Sequence, residues 1–119
     1  MGRIRNNVTF KEMYERQEEF QKKVLKSKND NSNVPADNLD WFSYHVQAMV
    51  EELGEVMKAD KRWKTHRNER YEKQEKLDEL ADVFITAMNI SMHSGFSAED
   101  VLNAIINKIE ENENREKMI

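Results

Sequence analysis

Apolar residues return at helical spacing in four segments of the chain, and polar punctuation separates them. In the first, Phe10, Met13, Tyr14, Phe20, Val24 and Leu25 mark one face, and Thr9 is placed to cap a helix that runs to about Ser27. The stretch "KNDNSNVPADNLD" follows, with the only proline of the chain among Asn, Asp and Ser, so residues 28–40 read as a mobile loop and residues 1–8 as a tail. A second helix is expected from about Asn38 to about Lys64, with Phe42, Val46, Met49, Val50, Leu53, Val56 and Met57 as its core stripe. The charged "THRNERYEKQEK" then reads as a loop, an exposed helical turn, or both. A third helix spans roughly Glu72 to Ser94, and its "LADVFITAMNISM" is apolar on most of its circumference, which predicts the central, most buried position. Gly95 sits where a left-handed cap belongs, and Ser97 with Asp100 opens a fourth helix to about Glu116. The expected fold is all-α, a four-to-five-helix bundle.

Composition agrees with that pattern. Only three glycines and one proline occur in 119 residues, of which 35% are charged and 38% hydrophobic, as suits long amphipathic helices. The length predicts one domain over residues 1–119 and a modest core, in the range where a partner subunit supplies buried surface. A net charge of −4 gives no global attraction to a phosphate backbone, so no nucleic-acid partner is expected. No cysteine is present, which removes disulfides and thiolate metal sites. No apolar run approaches the roughly 20 residues of a membrane span, and the N-terminus lacks a signal-peptide core, so no membrane partner and a cytoplasmic location are expected.

The polar residues carry the chemistry. Unrolled at about 100° per residue, the second helix shows a second stripe beside its core: Trp41, His45, Ala48, Glu52, Glu55, Ala59 and Trp63 fall in an arc of about 80°. Glu51 lies further toward solvent. On the third helix Glu79, Asp82, Thr86, Asn89 and His93 align in an arc of similar width. Carboxylates on a buried helix persist when they are paired with cations or bound to metal. Glu52, Glu55, Glu79 and Asp82, brought together on adjacent helices, would repel one another without a counter-charge. All-oxygen ligands select a hard ion such as Mg²⁺, which bridges carboxylates to phosphates; a di-iron bundle would want Glu-x-x-His pairs, and none occurs. The competing readings are a solvated charged face for "EELGE" and, for Glu79 and Asp82, salt bridges to lysines such as Lys58 or Lys61.

These residues resemble a known family, the all-α nucleoside triphosphate pyrophosphohydrolases that include the MazG-like proteins and the dimeric dUTPases. The resemblance rests on Glu-Glu-x-x-Glu at Glu51–Glu55 followed by Glu-x-x-Asp at Glu79–Asp82. It implies that the acidic motifs lie on two adjacent antiparallel helices and that Glu52, Glu55, Glu79 and Asp82 hold Mg²⁺, with Mn²⁺ as a substitute. Lys108, Asn112 and Arg115, at spacings of four and three, look like the phosphate-contacting Lys-x-x-x-Asn-x-x-Arg pattern of the dimeric dUTPase branch. The alternative for that line is a basic helix C-terminus complementing the dipole. "KRWK" also resembles that branch and adds Lys61 to the phosphate contacts. The resemblance covers roughly Asp40 to Arg115.

The implied reaction is Mg²⁺-dependent hydrolysis of a nucleoside triphosphate, with dUTP the best single guess, to the monophosphate and pyrophosphate. Glu52 or Glu55 accepts a proton from the attacking water. Trp63, Trp41 or His45 stacks on the base, and Asn89 and Gln17, on otherwise core-facing stripes, meet the base or sugar edge. A homodimer or higher homo-oligomer is expected, because a protomer this small leaves one side of such a pocket open. Two other classes remain: a non-enzymatic helical interaction module with a solvated acidic face, and a nucleic-acid binder using "KADKRWKTHRNER", which leaves the third-helix stripe unexplained.

Overall fold

A computed structural model of the chain describes residues 7–27, 39–61 and 72–117. It is an all-α bundle of four helices, α1 (Phe10–Ser27), α2 (Leu39–Ala59), α3 (Lys73–Met92) and α4 (Ala98–Lys117), and no strand occurs among the described residues. Of the expected loop 28–40, residues 28–38 lie outside them and Leu39 and Asp40 are instead the first residues of α2; residues 1–6 of the expected tail 1–8 and the charged stretch 62–71 also lie outside.

Local signals set the helix ends. Thr9 Oγ1 accepts the Glu12 N–H at 3.1 Å, capping α1. α3 ends in a Schellman turn: the Phe96 N–H bonds to the Ser91 carbonyl, the Gly95 N–H to that of Met92, and Gly95 takes φ 84. Only glycine adopts that angle without a Cβ penalty. α4 opens with a reciprocal box, in which Ser97 Oγ accepts the Asp100 N–H at 3.2 Å and the Asp100 carboxylate accepts the Ser97 N–H at 3.0 Å.

α2 is shorter than the periodicity predicts: it stops at Ala59, not near Lys64. Ala59 is its last buried side chain, and Asp60 still donates its N–H to Val56 O. The Asp60 carboxylate then receives Lys76 Nζ of α3 at 2.7 Å, an ion pair only 18–23% exposed that fixes the chain where the helix ends.

α2 and α3 form the most extensively packed pair, α1 packs on α3, and α4 packs on α1. Tyr14, Leu25, Met88, Met92 and Ala98 form the core, with Phe10, Trp41 and Val101 against it. Tyr14 Oη donates to the Phe96 carbonyl at 2.8 Å, tying α1 to the α3–α4 turn. α3 touches both α1 and α2, yet it is not the buried helix its apolar sequence predicts: Leu77, Phe84 and Ile85 are exposed, and its buried side chains, Thr86, Met88, Asn89 and Met92, lie in its C-terminal half.

The two stripes of α2 exchange roles relative to expectation. Val46, Val50, Leu53 and Met57, expected in the core, are exposed, Val50 at 68%. His45, at 6%, and Ala59, at 1%, lie instead on the stripe read as a pocket lining. That narrower stripe faces α3, where small and flat side chains let the two helices approach, and the bulkier aliphatic stripe is left on the protomer surface.

Candidate metal centre

Contacts between α2 and α3 run in antiparallel order. The Trp41 and His45 rings meet His93, Glu52 meets Glu79 and Asp82, and Asp60 meets Lys76. The polar stripe of each helix is thus turned toward the other, with the acids midway along the pair.

Glu52, Glu79 and Asp82 each offer a carboxylate oxygen, and the three atoms lie within 4.8 Å of one another. Opposite oxygens around an octahedral Mg²⁺ are about 4.2 Å apart, so small rotamer changes suffice to close them on a cation. The donor set fits a hard divalent ion, since it is all carboxylate. The carboxylates also repel one another. The Glu52 carboxyl is pushed above the usual range by desolvation and then by Asp82, Glu79, Glu55 and Glu51. Glu79 is raised by desolvation, Asp82, Glu55 and its helix neighbours Glu75 and Asp78. Every charge in both sets is another carboxylate.

Glu55 stands beside this group rather than in it: it is exposed, and Lys58 Nζ lies 3.7 Å from its Oε1. The acids are also less buried than the apolar third helix predicts, for Glu79 is half-buried and Asp82 exposed. α1 binds the C-terminal half of α3, through Gln17 and the Tyr14–Met88–Met92 core, so the acid-bearing half is flanked mainly by α2.

The rest of the α3 stripe is buried and locally bonded. Thr86 Oγ1 donates to the Asp82 carbonyl at 2.8 Å, and Asn89 Oδ1 accepts from Gln17 Nε2 at 2.9 Å, a bond that joins α1 to α3. At the far end His45 and His93 stack at 5.2 Å with an interplanar angle of 12°, and Trp41 stacks on His93 at 6.1 Å. Burial, with His93 beside it, lowers the His45 pKa to about 4, and His45 Nε2 is buried without a hydrogen-bond partner among the described residues. Seven residues separate His45 from Glu52, about 10 Å along the helix. The sequence places His93 on the polar stripe; that it pairs with His45 depends on the register of the two helices, which periodicity does not supply.

Lys61 is half-buried just past the Asp60–Lys76 ion pair, and Trp63 lies outside the described residues. Lys108, Asn112 and Arg115 are exposed on α4. Arg115 Nη2 donates to Asn112 Oδ1 at 2.7 Å, and Glu111 lies 3.5 Å from Lys108 and 3.6 Å from Arg115.

The fold is an antiparallel helix pair in an all-α bundle, with three carboxylates converging between its members as an all-oxygen donor set of the kind hard divalent cations take. The family model of the MazG nucleotide pyrophosphohydrolase domain matches residues 42–116, which include both acidic motifs and the α4 polar line. The chain belongs to this family of all-α nucleoside triphosphate pyrophosphohydrolases. No curated protein and no solved structure matches it. Among the described residues, no helix is long and apolar enough to cross a membrane.

Proposed function

We propose that this chain hydrolyses a deoxynucleoside triphosphate, dUTP best, to the monophosphate and pyrophosphate in a Mg²⁺-dependent reaction that clears the cytoplasmic nucleotide pool. The observation that carries this reading is the convergence of Glu52, Glu79 and Asp82. Together with Glu55, one helical turn from Glu52, they would hold Mg²⁺, with Mn²⁺ as a substitute. When bound, the ion supplies positive charge against the phosphate oxygens and acidifies water.

The chain's own groups do the rest. Glu55, exposed beside the cluster, accepts the proton of the attacking water, with Glu52 as the other carboxylate in reach. Lys108, Asn112, Arg115 and Lys61 neutralise and orient the departing phosphates. Trp63 and the half-buried Trp41 offer flat faces to the base, whereas His45, buried and stacked on His93, meets a base only when that stack opens. Asn89 and Gln17 offer amide edges to the base or sugar, in exchange for the bond they make with each other. The exposed aliphatic stripe of α2 supports a homodimer or higher homo-oligomer.

The test is a panel of standard and non-standard nucleoside triphosphates with Mg²⁺, the products resolved by chromatography. Equimolar monophosphate and pyrophosphate, fastest from dUTP, is expected. Diphosphate with inorganic phosphate, or no turnover of any nucleotide, contradicts the reading.

A further inference from the structure

Asp60, just past the last residue of α2, and Lys76, in the first turn of α3, meet at 2.7 Å between Oδ2 and Nζ. The lysine side chain is 23% exposed and the aspartate 18%, so the pair is largely withdrawn from water. Many pairs of side chains could tie a helix end in this way. What sets this one apart is the origin of its cation.

Lys76 lies three residues before Glu79, which places the two side chains on one side of α3 with Cβ atoms about 5–6 Å apart. That side faces α2, since Lys76 reaches Asp60 there and Glu79 converges with Glu52. The ammonium is therefore within a change of rotamer of the acid cluster. It is held by Asp60 instead, and the charges that raise the Glu79 carboxyl are all carboxylates, those of Asp82, Glu55, Glu75 and Asp78.

The choice of partner bears on cation binding. An ammonium seated on Glu79 would occupy one of the three oxygens that lie within 4.8 Å of one another, and its charge would oppose a second cation. At about 7 Å and the dielectric of water, a unit positive charge weakens the binding of a divalent ion roughly 10-fold. Lys58 offers no such competition, for it is exposed and lies 3.7 Å from Glu55, outside the converging three.

We propose that Asp60 is a positioning residue for the metal centre: it binds the Lys76 ammonium one turn from Glu79 and keeps that lysine from neutralising the carboxylates in place of a divalent ion. The proposal rests on the metal reading above and adds the group that preserves the charge of the cluster.

Two variants that break the same ion pair separate this role from a structural one. Asp60→Asn releases the ammonium, which then turns to Glu79, whereas Lys76→Met removes it and leaves the Asp60 carboxylate in place. A clamp that merely fixes the end of α2 is lost in both, so both would shift cation binding in the same direction. An acid that sequesters the lysine makes the two shifts differ.

The readout is binding of Mn²⁺ alone, without nucleotide, with the free ion counted by electron paramagnetic resonance. Asp60→Asn is expected to raise the dissociation constant roughly 10-fold, and Lys76→Met to leave it unchanged or lower it. The double variant Asp60→Asn/Lys76→Gln carries neither charge, can still hydrogen-bond across the two helix ends, and is expected to bind like wild type. Unchanged binding in Asp60→Asn overturns the proposal, as does weakened binding in Lys76→Met or in the double variant. Those last two proteins keep the test decisive if Asp60→Asn does not fold. A wild type that takes up no Mn²⁺ overturns the metal reading itself. A wild type that binds it, with both single variants shifted alike, overturns the positioning role and leaves that reading standing.

Discussion

Glu52 of α2 and Asp82 of α3, thirty residues apart in sequence, bring carboxylate oxygens within 4.8 Å of each other, with Glu79 completing the group. Two unit charges at that separation repel by about 1 kcal/mol even at the dielectric of bulk water. The cluster is therefore a local destabilisation of the metal-free protein, which a divalent cation bound as proposed would relieve.

Glu52→Gln separates those two effects. Without metal, removing one charge relieves the repulsion, and the variant should melt a few degrees above wild type. With Mg²⁺ the order should reverse, because wild type gains stability by mass action and the variant gains little. Thermal melts of both proteins across a Mg²⁺ titration check this. A variant that melts below wild type without metal and still responds fully to Mg²⁺ would contradict it.

The stacked histidines make stability depend on acid. His45 takes a proton near pH 6.5 when unfolded but only near pH 4 in the fold. Its contribution is complete above pH 6.5 and is lost as pH falls toward 4, where the unfolded state binds the extra proton, up to about 3 kcal/mol in all. His45→Phe keeps a flat ring on His93 and removes the buried Nε2, unpartnered among the described residues. Urea melts between pH 4 and 7 should show a shallower acid loss in the variant than in wild type. An unchanged slope would place the acid sensitivity elsewhere.

Tyr14 anchors α1 to the α3–α4 turn. Tyr14→Phe leaves the Phe96 carbonyl without its 2.8 Å donor and should cost about 1–2 kcal/mol by chemical denaturation. Burial, with Glu18 and Asp100 nearby, raises the phenol to about 12. Its stabilisation is therefore intact below the unfolded value near 10 and is lost as pH rises from there to about 12. The Phe variant should lack that alkaline loss. Equal alkaline sensitivity in both proteins would contradict the assignment.

The parts of the fold that were legible in the sequence are those decided within a few residues: the Thr9 cap, the left-handed Gly95 and the Ser97–Asp100 box. The spacing of acids on each stripe was legible too, because helical geometry carries it. Which stripe of α2 would face α3 was not. Periodicity separates Val46–Val50–Leu53 from His45–Glu52–Ala59 but does not say which a neighbouring helix of the same chain covers, and aliphatic residues serve a partner's surface as well as a core. The end of α2 at Ala59 has no local signal because it is secured by Lys76, sixteen residues from Asp60. The exposure of Asp82 depends on where α1 crosses α3, a tertiary fact with no local signature.

On the proposed reading, the carboxylates gathered between α2 and α3 hold the cation on which nucleotide hydrolysis depends. The most direct measurement is steady-state pyrophosphate release from dUTP by wild type and Asp82→Asn across a Mg²⁺ titration. Turnover is expected to rise with Mg²⁺ in wild type and to fall by at least about 100-fold in the variant at every concentration. Equal, Mg²⁺-independent release by the two proteins would contradict it.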